Sequence, residues 1–134
     1  MFDHLGLVFR DLAAARAFYQ AVLAPLGVVL AEDYAQPDGA GWLVFSSGVP
    51  ESPFFVVAGG RPSFWTDDSA PSQSPVHLAF RAPSQAAVDG FHAAGLAAGG
   101  KDNGAPGVRR GRYYAAFLID PEGNNIEAGV YAAV

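Results

Sequence analysis

Three residues of this chain are of types that hold divalent cations, and an internal repeat brings two of them into correspondence. His4 lies in FDHLGL, residues 2–7, and His77 lies in VHLAFR, residues 76–81. At an offset of 73, residues 4–20 (HLGLVFRDLAAARAFYQ) align without a gap on residues 77–93 (HLAFRAPSQAAVDGFHA). His4 falls on His77, Leu5 on Leu78, Asp11 on Ser84, Ala14 on Ala87, Phe18 on Phe91 and Gly27 on Gly100. Matches at caps and glycines as well as at apolar positions point to a duplication. The third residue is Glu127 in NNIEAGVY, residues 124–131. Alternation along a strand sets it with Asn125 and Gly129, opposite Ile126, Ala128 and Val130. A carboxylate inside such a strand is costly unless it is paired or bound to a cation. Two imidazoles and one carboxylate converging on one face make the facial-triad set, which holds a metal and leaves positions open for water or substrate. His92 corresponds to Tyr19 on the second helix and reads as a helix-packing or surface residue, not a ligand.

The elements that must position these residues follow from periodicity. Residues 2–9 alternate, so His4, Gly6 and Val8 share a face, while Leu5, Leu7 and Phe9 take the other. Asp11 stands where a helix N-cap belongs. Leu12, Ala15, Phe18, Tyr19 and Val22 follow at helical spacing over 12–23, and Pro25 with Gly27 ends that helix. In the second half, 76–82 reads as a strand, Ser84 as a cap, Val88 and Phe91 as a buried stripe, and Gly95, Gly99 and Gly100 as the stop. Strand-like runs follow at 28–31, 41–45 and 53–58, then at 113–119 and 125–131, with a weaker strand expected near 101–110. Asp120-Pro121-Glu122-Gly123-Asn124 is turn chemistry between the last two strands. Each half therefore reads strand, helix, three strands. Module one is assigned to 1–58, a linker rich in Gly, Pro and Ser and bearing Phe64 and Trp65 to 59–75, and module two to 76–134, all within one domain.

Composition narrows the function classes. A chain of 134 residues that is 51% hydrophobic and 16% charged is globular. It has no cysteine, which removes thiolate, zinc-finger and disulfide chemistry. A net charge of −5, with Arg109, Arg110 and Arg112 as the only basic cluster, argues against nucleic-acid binding. No apolar run is long enough to span a membrane and no signal peptide is evident, so a cytoplasmic location is expected.

DHLGLVFRDLAAARAFY at the start, PVHLAFRAPS in the middle and YYAAFLIDPEGNNIEAGVY at the end together resemble the vicinal-oxygen-chelate superfamily, also called the glyoxalase/bleomycin-resistance/extradiol-dioxygenase superfamily. The resemblance implies an α+β fold: two βαβββ modules forming a curled mixed sheet with an open cleft. It places the family's metal ligands on His4, His77 and Glu127. It also implies a divalent metal (Fe, Mn, Ni or Zn), a small-molecule substrate and a homodimer. The fourth ligand of glyoxalase I-type members falls, by the 73-residue offset, on Phe54, with Glu51 out of register. That weakens a glyoxalase I assignment. Phe54, with Val56 and Trp42, reads instead as an apolar wall for an aromatic or acyl substrate. Arg81 is the cation placed in the cleft, with Lys101 and residues 109–112 as loop candidates.

The function expected is that of a divalent-metal-dependent enzyme acting on a small oxygenated substrate by Lewis-acid chelation: a lyase, an isomerase or a dioxygenase. Glu127 is the candidate base. Tyr113 or Tyr114 supplies a hydroxyl, and since adjacent strand residues point opposite ways, only one of them faces the site. Tyr113 is taken as the catalytic candidate. The alternative is a metal-free binding protein for a hydrophobic or cationic compound, which would not need the two histidines and the glutamate.

Overall fold

The computed structural model describes residues 2–60, 76–109 and 111–131. Phe64, Trp65 and Arg110 lie outside them. The element order is β1 (His4–Phe9), α1 (Leu12–Leu23), a 3-10 turn (Ala24–Leu26), β2 (Val29–Asp33), β3 (Gly41–Ser46), β4 (Phe54–Gly59), β5 (His77–Arg81), α2 (Gln85–Ala97), β6 (Lys101–Val108), β7 (Tyr113–Ile119) and β8 (Asn125–Tyr131). The strands form two four-stranded mixed sheets, ordered β1-β4-β3-β2 and β5-β8-β7-β6. In each, the strand before the helix pairs in parallel with the last strand of its half, and the other pairs are antiparallel. This is the expected α+β architecture of repeated βαβββ modules.

The predicted caps account for where the helices begin. Asp11 Oδ1 accepts from Ala14 N at 2.9 Å, and Ser84 Oγ accepts from Ala87 N at 3.1 Å. Both satisfy amides that the first turn leaves without an internal partner. The expected weak strand near 101–110 is the eight-residue β6, paired to β7 with two register shifts around Gly104 and Pro106. Proline has no N–H to give to the ladder, so it is accommodated where the pairing slips.

The chain divides into two compact units. The first holds residues 2–17 and 28–60 of the described chain, and the second holds 18–27, 76–109 and 111–131. The second half of α1 therefore belongs with the second sheet. In the first unit Phe9, Leu12, Ala15, Leu43, Phe45, Phe55 and Val57 are buried. Arg16 holds Asp33 through two hydrogen bonds, keeping that carboxyl below its usual range.

In the second unit Phe18, Tyr19, Val22, Val88, Phe91, Leu118, Ile126 and Ala128 are buried. Two repeat-equivalent polar residues secure the helices here. Tyr19 Oη donates to the buried Asp120 Oδ2 at 2.7 Å, and His92 Nε2 meets Asp102 Oδ1 at 2.9 Å. His92 is thus a buried helix-packing residue. Burial first, then the neighbouring Asp120, pushes the Tyr19 hydroxyl far above the ordinary tyrosine range. Tyr19→Phe removes one donor from a buried carboxylate and is expected to cost about 1–3 kcal/mol in urea unfolding, with no change in far-UV circular dichroism.

Candidate functional site

Register in the second unit decides which side chains stand together. His77, Ala79 and Arg81 of β5 pair with Asn125, Glu127 and Gly129 of β8. On its other side β8 pairs Glu127 with Phe117, Gly129 with Ala115, and Tyr131 with Tyr113. These residues share one face of the sheet. Leu78, Ile126, Ala128 and Leu118 take the face turned to α2. The structure thus brings His77, Glu127, Tyr113 and Arg81 onto one surface. Tyr114 points the other way, and its hydroxyl donates to Asp89 of α2 at 2.8 Å.

His77 and Glu127 are in direct contact, with Nε2 3.2 Å from Oε2. The other ring nitrogen, Nδ1, faces the Asn125 carbonyl oxygen at 3.3 Å. A carboxylate oxygen accepts from a ring N–H and also binds a cation, so the Glu127 side chain can serve either an Nε2–H or a metal ion held between the two side chains. Glu127 is buried, whereas His77 is half-exposed. The pair is therefore open from the imidazole side. Phe117, the cross-strand neighbour of Glu127, stacks 6.4 Å from the His77 ring, and the Arg109 guanidinium lies 5.4 Å over Phe117.

Tyr113 completes this cluster because Gly129 has no side chain. The tyrosine ring and hydroxyl fill the space where a methyl on residue 129 would project. From there the hydroxyl hydrogen-bonds to Glu127. Burial, then that hydrogen bond and the carboxylate's charge, push the Tyr113 hydroxyl up to about 12. At neutral pH it is a donor. The Tyr113 and Tyr131 rings lie 4.7 Å apart and, with Arg81, Phe80, Ala79 and Gly129, line a cavity of about 350 Å³.

In the first unit, His4 stacks face to face on Phe54, with centroids 4.7 Å apart and planes 10° from parallel. Its Nδ1 contacts Asp3 Oδ1 at 2.6 Å. A carboxylate on Nδ1 leaves Nε2 free, which is the orientation that metal-ligating histidines adopt. Phe54, Val56 and Trp42 share the His4 face, all of them partly exposed. The strand register corrects one assignment. His4 pairs with Phe54 as His77 pairs with Asn125, so the counterpart of Glu127 is Val56, not Phe54. The gapless offset fails beyond the helices because the intervening loops differ by two residues. Both positions are apolar, so no carboxylate stands at the corresponding place in the first unit.

A family model for the Glyoxalase/Bleomycin resistance protein/Dioxygenase superfamily matches residues 1–128. The chain belongs to this superfamily. Its fold is similar to that of a glyoxalase/bleomycin resistance protein from Albidiferax ferrireducens, with 29% identity, a TM-score of 0.75, and 96% of this chain and 98% of that one covered. A lactoylglutathione lyase from Agrobacterium tumefaciens shares 24% identity at a TM-score of 0.66, with 96% and 92% covered. TioX from a Micromonospora species shares the fold at 15% identity and a TM-score of 0.69, with 98% and 99% covered. No curated protein matches.

A divalent cation is the group this superfamily implies, and the donor chemistry fits one. His77 Nε2 and Glu127 Oε2, both metal-donor atom types, stand 3.2 Å apart, and in both histidines Nδ1 lies against an oxygen. Among the described residues no three His, Asp or Glu side chains gather into one metal-holding group. The second unit therefore supplies a two-ligand set, and His4 is a separate candidate in the first. Sequence reasoning passed over Asp3, Phe117 and Tyr131. Strand alternation could have found Tyr131, which shares the Glu127 face.

Proposed function

We propose that this protein is a divalent-metal-dependent enzyme of the glyoxalase/dioxygenase type acting on a small oxygenated substrate, with His77 and Glu127 as metal ligands in the second unit and His4 as a separate candidate ligand in the first. One observation carries the reading: a buried carboxylate stands 3.2 Å from the Nε2 of a half-exposed histidine on the neighbouring strand. When bound, the cation (Fe, Mn, Ni or Zn) acts as a Lewis acid on vicinal substrate oxygens. Tyr113, still protonated at neutral pH, donates to an oxygen that gains negative charge. Glu127 takes a proton once its hydrogen bond from Tyr113 is released. In the first unit Phe54, Val56 and Trp42 form an apolar surface suited to an aromatic or acyl group. A cytoplasmic homodimer goes with this reading, and sedimentation of the purified chain tests the dimer.

Metal analysis of protein purified without a histidine tag tests the reading. About one equivalent of metal per chain is expected, either as isolated or after loading. A His77→Ala/Glu127→Ala double variant is expected to bind it about 100-fold more weakly or worse, with its circular dichroism unchanged. Protein that takes up none of the four metals would favour the metal-free binding alternative.

A further inference from the structure

We propose that the cavity beside Tyr113 is a carboxylate-binding subsite, with Arg81 as the anchor for a small planar monocarboxylate. This rests on the reading above, in which the Tyr113–Glu127 face is where substrate reacts, and it adds the substrate's charge and shape. The first observation is the contrast between two cations. The Arg109 guanidinium donates to the Ala105 carbonyl at 2.5 Å and lies over the Phe117 ring. The exposed Arg81 guanidinium, at the end of β5, makes no hydrogen bond or ion pair among the described residues. It nevertheless lines the cavity of about 350 Å³. A guanidinium presents a rigid fork of donors that matches a carboxylate in two parallel hydrogen bonds.

The walls argue for a planar body. Tyr113 and Tyr131 stand side by side, with Ala79 and the bare backbone of Gly129 on the same face. Tyrosine rings and alkyl groups reward a flat, apolar ligand through area and stacking. The cavity holds a ligand of benzoate size with room to spare.

Register sets the distance between charge and chemistry. Arg81 pairs with Gly129, and Glu127 pairs with Ala79, one step along the same face. Residues two apart on a strand are separated by roughly 6.5–7 Å. A substrate whose carboxylate sits on Arg81 therefore brings atoms a few bonds away to the Tyr113 hydroxyl and Glu127. Carboxylate and reacting oxygens are separate groups of one small molecule. An anion on Arg81 also suits a protein whose net charge of −5 would otherwise repel it, because the attraction is local.

Benzoate and its neutral isostere benzamide test this by calorimetry or ligand-observed NMR on the full chain. Benzoate is expected to bind about tenfold more tightly than benzamide or better. Arg81→Gln is expected to abolish that preference while leaving benzamide binding and the melting temperature unchanged, and Arg81→Lys to keep part of it. Equal binding of the two ligands, no binding of benzoate, or a preference that survives Arg81→Gln would overturn the proposal. The readout is independent of metal loading. Charge preference in a chain that takes up no metal would sink the enzymatic reading alone. A metal-loaded chain indifferent to the carboxylate would sink this inference alone.

Discussion

Replacing Asp120 by alanine is expected to destabilise the protein by about 3 kcal/mol or more, lowering the melting temperature by roughly 10 °C. Asp120 is buried and its carboxylate accepts from four donors: Tyr19 Oη at 2.7 Å, Glu122 N at 2.9 Å, Asn124 N at 2.8 Å and Asn124 Nδ2 at 2.9 Å. Alanine removes every one of these acceptor contacts and leaves the Tyr19 hydroxyl buried without that partner, so the cost exceeds that of one lost hydrogen bond. The same residue closes the turn through its backbone, with Asp120 N donating to Asn124 O and Gly123 N donating to Asp120 O. That turn sets the β7–β8 register, which puts Glu127 opposite Phe117 and beside Ala79. Asp120→Asn, which keeps part of the network, is expected to fall between the two. Chemical denaturation monitored by tryptophan fluorescence and by far-UV circular dichroism checks both variants. A loss under about 1 kcal/mol for alanine would remove the turn from its organising role.

Gly129→Ala is expected to return the Tyr113 hydroxyl from about 12 toward the ordinary tyrosine value near 10. The backbone at 129 does not need the left-handed conformation that favours glycine, so alanine is tolerated locally. Its methyl would overlap the Tyr113 hydroxyl and ring, and the flexible tyrosine must swing away. Leaving its place, Tyr113 gives up both its burial and its bond to Glu127. The effect on stability has a definite sign. Folded Tyr113 keeps its proton where an unfolded tyrosine has lost it. The stabilisation is therefore complete below about pH 10 and disappears as pH rises through 12. The variant should lose this part of the alkaline decline. Ultraviolet titration of tyrosinate resolves the shift, with Tyr113→Phe identifying the step that belongs to this residue. An unchanged titration in Gly129→Ala would mean that Tyr113 does not lie over residue 129.

The residues themselves explain which parts of this structure could be read in advance. Asp11 and Ser84 announce helices because a short polar side chain before an amphipathic run can do little better than cap it. Glu127 stood out because a carboxylate inside an alternating apolar strand demands a reason. The choice between Tyr113 and Tyr114 was open at the level of alternation alone, and it was decided by which one shares a face with Glu127. The register of β4 was not legible. The halves share identities only through β1 and α1, and counting on from there ignores loops of unequal length, which moved the counterpart of Glu127 from Phe54 to Val56. The contact of Nδ1 of His77 with the Asn125 carbonyl was equally hidden, since every residue carries that group and only folding decides who meets it.

The division of α1 between the two units bears on how the chain is made. Residues 18–27 belong with a sheet whose strands begin at residue 77. On the ribosome, Phe18, Tyr19, Val22, Leu23 and Leu26 therefore emerge roughly 50–110 residues ahead of the strands that bury them, a wait on the order of 3–20 s at ordinary elongation rates. For that interval the nascent chain carries an apolar helix without its cover, which is the kind of segment that holdase chaperones engage. A split of the gene between residues 60 and 76 would then give a second fragment lacking the helix that closes its own core.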